Sequence, residues 1–475
     1  MSRPDLRSWL ATLGADELLE VDRRVRPGGE IAAVVKGLEP HGAPGVLFRD
    51  VEGSELPVLM GVFGKRSRVA SALGVPVRQA LDHVLAVQRG PVPDAVVVDD
   101  APVHEVVVTG DDVDLGALPF AVHSRADAGR YITAGVVMVR DPATGSINTG
   151  MYRLMITGRN TITVNAAPDH DLGRVLAAAR EDGRTVEIAV VIGHHPAYAI
   201  ASQLKNPVTI DAHGLAGALL GDPLAVTPGR TVDLPIPADA ELVLEAVVDP
   251  ADRVDEGPFG EFSYHYGKAQ APVATITAVT RRADALFQDL HPTHAEHLCL
   301  WLFPGREARL LDAVRRAVPG TVDVRIPFRG GAFSAYIAVR KRRQGDGKQA
   351  LLAAFAADHF LKTVVVVDDD IDVHDEPGVL WSVNVRFQAD RDLMVLGDMK
   401  GIRMDPSAHQ FTTERGSDAL TAKLGFDTTR PLTGFPERSD LPPEGFEDLD
   451  ALGYLDPSLR ERITAAARVR QTVGE

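Results

Sequence analysis

The alternation of apolar and polar positions divides the chain into three textures and a tail. Over the first hundred residues, helical spacing (Glu30 to Leu38, Arg68 to Leu73, Arg78 to Gln88) mixes with short strands such as Pro57 to Gly61, which predicts an α/β unit. Before these, Met1 to Val25 sets Leu6, Trp9, Leu10, Leu13, Leu18 and Leu19 among acids, the pattern of an amphipathic helix. Gly90-Pro91-Val92-Pro93-Asp94 reads as a hinge. From Ala95 strand-like runs recur (Glu105 to Thr109, Tyr131 to Arg140, Thr161 to Asn165, Val186 to Gly193, Glu241 to Val248, Ala271 to Arg281), with one helix at Leu172 to Glu181. That spacing predicts a β-rich barrel or sandwich. After Leu302 the β/α rhythm returns: helices at Glu307 to Ala317, Lys348 to Phe360 and Pro377 to Arg386, and strands at Val322 to Ile326, Ala335 to Val339 and Leu393 to Leu396. Thr363 to Val367 is an unbroken β-branched run, the mark of a buried parallel strand. Leu441-Pro442-Pro443-Glu444-Gly445 reads as a linker to a terminal helix, Pro457 to Arg468. The expected domains are 1–94, α/β; 95–302, β-rich; 303–440, α/β; and 441–475, linker and helix.

Composition narrows the class. In 475 residues, 50 Lys and Arg face 66 Asp and Glu, a formal charge of −16, which argues against nucleic acid as a main partner. Cys299, the single cysteine, excludes an intrachain disulfide framework and any CxxC motif, so a reducing, cytoplasmic setting is expected. No run of about 18 apolar residues is present, and the acidic N-terminal pattern lacks the apolar core of a signal peptide, so no membrane association is expected.

Most familiar signatures are missing. Gly345-Asp346-Gly347-Lys348 lacks the leading Gly and the following Ser or Thr of a phosphate-binding loop. Asp368, Asp370 and Asp372 have a DxDxD spacing, but Val373 stands where a calcium loop needs Gly, so a polar strand end is expected there. His291, His294 and His297, beside Asp289 and Glu296, admit zinc ligation. Pro292 leaves only His294 and His297 on one helical face, which favours surface or interdomain hydrogen bonding.

Two stretches say more. In Glu256-Gly257-Pro258-Phe259-Gly260-Glu261, two carboxylates bracket what Gly and Pro suggest is a rigid, tight turn. Such a pair, enclosed, can split its pKa values and keep one member as a general acid; on the surface it is only two solvated acids. In Ser146-Ile147-Asn148-Thr149-Gly150-Met151-Tyr152-Arg153, strand alternation puts Asn148 and Arg153 on different faces unless Gly150 makes a bulge. Arg is suited to grip a carboxylate with two parallel hydrogen bonds.

In this order, the two stretches resemble the UbiD family of reversible decarboxylases. Ala216-Gly217-Ala218-Leu219-Leu220-Gly221-Asp222-Pro223, Val364 to Asp372, and Gln388-Ala389-Asp390-Arg391-Asp392 extend the resemblance, which covers about Leu6 to Pro431. It implies an N-terminal α/β domain, a central split β-barrel of flavin-reductase-like type that binds prenylated FMN, and a C-terminal α/β domain used in self-association. The family's Arg–Glu–Glu network falls on Arg153, Glu256 and Glu261. Cofactor contacts fall on Asn148, Thr149, Arg153, Ala201 and Ser202, with Ala201-Ser202 resembling a potassium-site segment. A divalent metal, manganese or magnesium, clamping the flavin phosphate is implied at Asn148. Here the chain departs from the family: the usual His falls on Asp171 and the usual Glu on Ala212, flanked by Asp211 and His213. The expected ligands are therefore Asn148 and Asp171, with His213 or water filling the vacancy at Ala212.

The resemblance implies decarboxylation of an aromatic, heteroaromatic or α,β-unsaturated carboxylic acid with prenylated FMN as electron sink. Arg153 would hold the substrate carboxylate and Glu261 would deliver the proton. A flavin prenyltransferase would supply the cofactor, and a homodimer or larger homo-oligomer is expected. The alternative is a divergent member that has weakened or lost cofactor binding and acts as a subunit or ligand-binding protein. A metallohydrolase built on the three histidines is a third reading, which requires stoichiometric zinc.

Overall fold

A computed structural model of the chain describes residues 3–413, 416–437, 439 and 450–464. It divides into two compact units, Met1–Leu38 with Ala43–Arg309, and Glu39–Gly42 with Leu310–Glu475.

The first unit holds two principal sheets. The smaller has the strand order Leu18–Val21, Gly45–Phe48, Val58–Met60, Phe287–Gln288. The predicted N-terminal helix is thus shorter than expected. Only Leu6–Leu10 is helical, capped by Asp5, with Leu6, Trp9 and Leu10 buried, while Leu18 and Leu19 go into a strand parallel to Gly45–Phe48. Those two leucines fill a sheet whose partner strand is fully buried, and tertiary pairing overrides local helical spacing.

The larger sheet is antiparallel throughout, in the order Thr161–Thr163, Tyr266–Arg281, Leu242–Gly260, Val186–Ile192, Val136–Arg140, Ile147–Met151, with Val106–Thr109 also on Tyr266–Arg281. Among the described residues no pairing joins its two end strands, so it is an open sheet rather than a closed barrel. Val137, Val139, Ile188, Val190, Leu244 and Ile276 build its core, alternate positions pointing to one face as strand geometry requires. The hairpin Leu242–Gly260/Tyr266–Arg281 is far longer than the periodic stretches suggest, because three register shifts let polar residues continue the pairing.

The second unit is a mixed sheet, ordered Thr321–Arg325, Ser334–Val339, Thr363–Asp368, Gly416–Asp427, Leu393–Lys400, with His409–Thr413 on Gly416–Asp427. Thr363–Asp368 is parallel to both neighbours, and Val364 to Val367 are buried, as the β-branched run predicted. The acidic cluster ends that strand: Asp368 and Asp370 pair with Arg386, and Asp368 also with Arg430, so arginines neutralise it. The expected linker at 441–445 lies outside the described residues, and the terminal helix is described only from Pro457 to Thr464.

Candidate active site

Arg153 owes its position to the end of a strand. Ile147–Met151 pairs with Val136–Arg140 without a register break, so Gly150 makes no bulge. The strand stops at Met151 instead, and Tyr152 and Arg153 leave the alternation before Leu154–Met155 pairs with Tyr131–Ile132.

The carboxylates come from the long hairpin. The Glu256–Glu261 segment is not the free turn expected from its Gly and Pro; through Gly260 it is the end of a paired strand. Glu256 lies opposite Ala269 and Phe259 opposite Gly267, and the register shift between them absorbs Gly257 and Pro258. Gly257 has φ +97°, and a Cβ there would stand 2.5 Å from the Gly267 carbonyl oxygen, so no other residue fits. The Asp127 carboxylate fastens the segment by accepting from the backbone N–H groups of Gly260 (2.8 Å), Ser124 (2.7 Å) and His123 (3.1 Å).

Arg153 bridges the two acids. Its Nη2 donates to Glu256 Oε2 at 2.6 Å and its Nε to both Glu256 oxygens at 3.0 and 3.1 Å, while Nη1 pairs with Glu261 Oε1. Asn165 Nδ2 adds a bond to Glu256 Oε2 at 2.7 Å. Neither Asn165 nor Asp127 belongs to a motif, and no sequence signal marks them. The Phe259 ring lies 5.1 Å from the guanidinium and 4.5 Å from the Tyr131 ring, closing one side. Glu256 is buried, whereas the Glu261 side chain keeps 15% exposure, so one acid is locked in and the other reaches solvent. Burial works against the Arg153 charge, but Glu261 and Glu256 outweigh it and raise its pKa further. Burial and then the Glu256 charge also raise the Tyr131 phenol, which stays protonated at neutral pH.

The three histidines are not on the surface. His291 and His294 are buried within the first unit, His294 Nδ1 caps Ala295–Trp301 by accepting from Glu296 N–H at 3.0 Å, and His297 Nδ1 donates to the Pro292 carbonyl at 2.9 Å. Nearby, His123 Nε2 meets Asp289 Oδ2 at 2.9 Å and Thr133 Oγ1 bonds Asp289 Oδ1. Burial pushes Glu296 up to about 7 and His291 down to about 2.

Of the expected metal ligands, Asn148 and Asp171 meet: Asn148 Nδ2 donates to Asp171 Oδ2 at 3.2 Å. Asp171 is already ion-paired with Arg174. His213 turns its Nε2 to the Tyr198 hydroxyl at 3.3 Å, and burial lowers its pKa to about 4. The Asp211 carboxylate is occupied by the N–H groups of Ile147 (2.8 Å), His213 (2.9 Å) and Gly214 (3.3 Å). Among the described residues, no three His, Cys, Asp or Glu side chains could together hold a metal ion. Thr149 lies on the Ile147–Met151 strand; Ala201 and Ser202 are buried in the helix Pro196–Gln203, where Ser202 Oγ donates to the Ala199 carbonyl at 2.7 Å.

Beside the Ile147–Met151 strand lies a small cavity of about 10 Å³, room for a single water. Its floor is a cross-strand row, Met151 beside Val136 beside Val191, and Phe63, Ala134 and Tyr198 line it further. The strand carrying Asn148 and Thr149 runs along it.

Comparison with known proteins places the whole chain. Residues 13–87, 95–294 and 301–428 match the N-terminal, Rift-related and C-terminal domains of 3-octaprenyl-4-hydroxybenzoate carboxy-lyase. Anhydromevalonate phosphate decarboxylase of Aeropyrum pernix is 33% identical over 434 residues, 91% of this chain and 94% of that protein. The UbiD-class enzyme HmfF of Pelotomaculum thermopropionicum, solved with FMN, superposes with a TM-score of 0.88 at 38% identity, covering 95% of this chain and 100% of that one. An evolved dimeric form of HmfF, solved with prFMN, gives 0.84 at 36% identity, covering 95% and 100%. The apo 3,4-dihydroxybenzoic acid decarboxylase AroY of Klebsiella pneumoniae gives 0.83 at 29%, covering 94% and 99%. With all three domain patterns matched in order over a shared fold, the chain belongs to the UbiD family.

Proposed function

We propose that this protein is a carboxy-lyase that decarboxylates an aromatic, heteroaromatic or α,β-unsaturated carboxylic acid with prenylated FMN. The observation that carries the reading is Arg153 holding a buried Glu256 and a solvent-reaching Glu261 at once. Bound prenylated FMN supplies the electron sink for the carbon–carbon bond that breaks. The chain's residues do the rest. Arg153 lies where it can orient the substrate carboxylate, and Glu256 with Asn165 keeps its guanidinium in one plane. Once carbon dioxide leaves, the carbon it vacated needs a proton; Glu261 Oε delivers it and is recharged from solvent. In reverse, the same carboxylate removes that proton before carboxylation.

Family membership supports cofactor placement beside Asn148, Thr149, Arg153, Ala201 and Ser202, with the long hairpin read as part of the family's split barrel. A flavin prenyltransferase is the natural cofactor supplier. In this reading a divalent cation, manganese or magnesium, would be held at Asn148 and Asp171 with His213 or water completing the set, and would meet the charge of the flavin phosphate, with potassium near Ala201 and Ser202. The departure from the family at Asp171 and Ala212 favours a second reading, a member whose flavin affinity is reduced and which binds an acid without turning it over.

Glu261→Gln separates the two. Loss of turnover by about 10²–10⁴-fold with flavin retained is expected of a general acid. Near-normal turnover in the variant removes Glu261 from the chemistry, and a wild type that stays colourless after co-expression with a prenyltransferase supports the second reading.

A further inference from the structure

Glu261 sits one residue past the last paired position of the long hairpin, Gly260 opposite Tyr266. The ladder therefore stops short of it, and the turn from Glu261 to His265 carries it. Inside that turn, Glu261 N–H donates to the His265 carbonyl at 2.8 Å and Tyr264 N–H to the Glu261 carbonyl at 2.9 Å. Those bonds close the turn on itself and leave its placement against the rest of the unit to side chains. Phe262 is 3% exposed, with its ring centroid 5.0 Å from that of Trp301 and 6.2 Å from that of His297. The two facing rings stack on each other at 5.9 Å, and His297 is itself tied to the Pro292 carbonyl. A second hold lies at the surface. There the Tyr264 hydroxyl and Lys36 Nζ both donate to the Thr293 carbonyl, at 3.3 and 2.7 Å, with Tyr264 70% exposed. Both holds rest on the stretch from Pro292 to Trp301, the histidine-rich segment to which the chemistry gives no task.

We infer that Phe262, seated against His297 and Trp301, is the positioning residue that sets where the Glu261 carboxyl stands relative to Arg153. Glu261 is bracketed: the Asp127 carboxylate fastens Gly260 on one side, and the aromatic socket fastens Phe262 on the other. A glutamate side chain turns about several bonds, so a fixed backbone on both sides is what confines its carboxyl to the reach of Arg153 Nη1. A buried ring packed on two others is held more firmly than an exposed phenol whose hydrogen bonds compete with water, so the socket outranks the surface hold. A misplacement of about 1 Å at a reacting group can cost about 10²-fold in rate, so the socket is felt at proton transfer rather than in substrate binding. His297 thereby has a task other than the metal ligation its spacing admits: it walls the socket of the residue beside the acid. This inference rests on Glu261 as the proton donor.

A double-mutant cycle on the holoenzyme, with 3,4-dihydroxybenzoate as the acid, tests it beside crystal structures of the variants. Phe262→Ala is expected to lower kcat at least about tenfold with KM kept within about twofold, and Phe262→Leu, which refills the socket, to recover most of that loss. Tyr264→Phe is expected to change kcat by no more than about twofold. In a Glu261→Gln background Phe262→Ala adds no further loss, because the group it positions is already gone. Losses that multiply in the cycle, or a rise in KM with kcat kept, overturn the inference. Near-normal turnover of Glu261→Gln alone removes the donor role, and the crystal structures then decide the positioning by themselves, as they do if this acid is not turned over. The inference requires Glu261 to leave Arg153 in Phe262→Ala while the Arg153–Glu256 bonds persist, and an unmoved Glu261 overturns it. Should Phe262→Ala not fold, Trp301→Leu, which removes a facing ring and leaves the hairpin intact, carries the same expectations.

Discussion

Arg153 is asked to hold two carboxylates of different exposure, and the difference between them sets what each residue contributes. Glu256 is buried under three nitrogens, two from Arg153 and one from Asn165. Removing the Asn165 donor leaves a buried carboxylate oxygen short of a partner, a loss of about 1.5–3 kcal/mol for a hydrogen bond to a charged group. Asn165→Ala is therefore expected to lower kcat about tenfold or more with little change in KM, because Glu256 acts by positioning Arg153; steady-state kinetics checks this. An equal rise in KM alone would show that Asn165 serves substrate binding instead. Arg153 and the two acids were legible from their motifs, whereas Asn165 and Asp127 were not. A single polar residue in a loop has no spacing to betray it, and the role of Asn165 exists only once Thr161–Thr163, two residues before it, pairs with Tyr266–Arg281.

Among elements, the long hairpin carries the site. Its strands stay paired beyond the apolar stretch because shifts at Asp249/Arg253 and Glu256/Phe259 let Pro250, Ala251 and Asp252, then Gly257 and Pro258, bulge out without ending the ladder. The second strand then passes directly beneath the ion pairs: a Cβ on Gly267 would stand 2.7 Å from Glu261 Oε1 and 3.0 Å from Arg153 Nη1. Gly267→Ala is expected to push the Arg153–Glu261 pair apart and lower turnover at least about tenfold, while the unfolding midpoint moves by only a few degrees. Kinetics beside thermal unfolding distinguishes this local displacement from a general loss of fold. In the second unit the helix Glu376–Val385 leaves Leu380 and Val385 largely exposed, and Val395 on the Leu393–Lys400 strand likewise. Such side chains support the expected self-association, and at least a dimer is anticipated by light scattering at micromolar concentration; a monomer mass would contradict it.

Across the first unit, buried titratable groups give stability a defined pH dependence. His194, His195 and His213 are lowered to about 4 and His291 to about 2, all chiefly by burial. Their folded pKa values lie below the ordinary histidine value, so between about 6.5 and 4 the unfolded chain binds more protons. Stability from these groups is present above that window and falls as pH drops through it. Glu296 opposes them: raised to about 7, it keeps its proton when folded, and its contribution is lost as pH rises from about 4.5 through 7. Four histidines outweigh one acid, so the unfolding midpoint of wild type should fall on acidification from pH 6.5 to 4. Glu296→Gln should make that fall steeper. A midpoint flat across the window would show that these side chains are hydrated in the folded state.

What the sequence alone determined follows from uninterrupted local signals. The β-branched run at Thr363–Val367 specified a buried parallel strand because both faces must be covered, and the acids after it were correctly read as its polar end. The order of Arg153, Glu256 and Glu261 specified the family. Tertiary structure decided what depends on pairing at a distance. It drew Leu18–Val21 into a sheet that Phe287–Gln288 completes, since two residues carry no period. It turned His213 toward Tyr198, closed Asp211 onto backbone N–H groups and brought Asn148 against Asp171. It also placed His194 over an apolar floor contributed by three strands, a juxtaposition no linear spacing encodes.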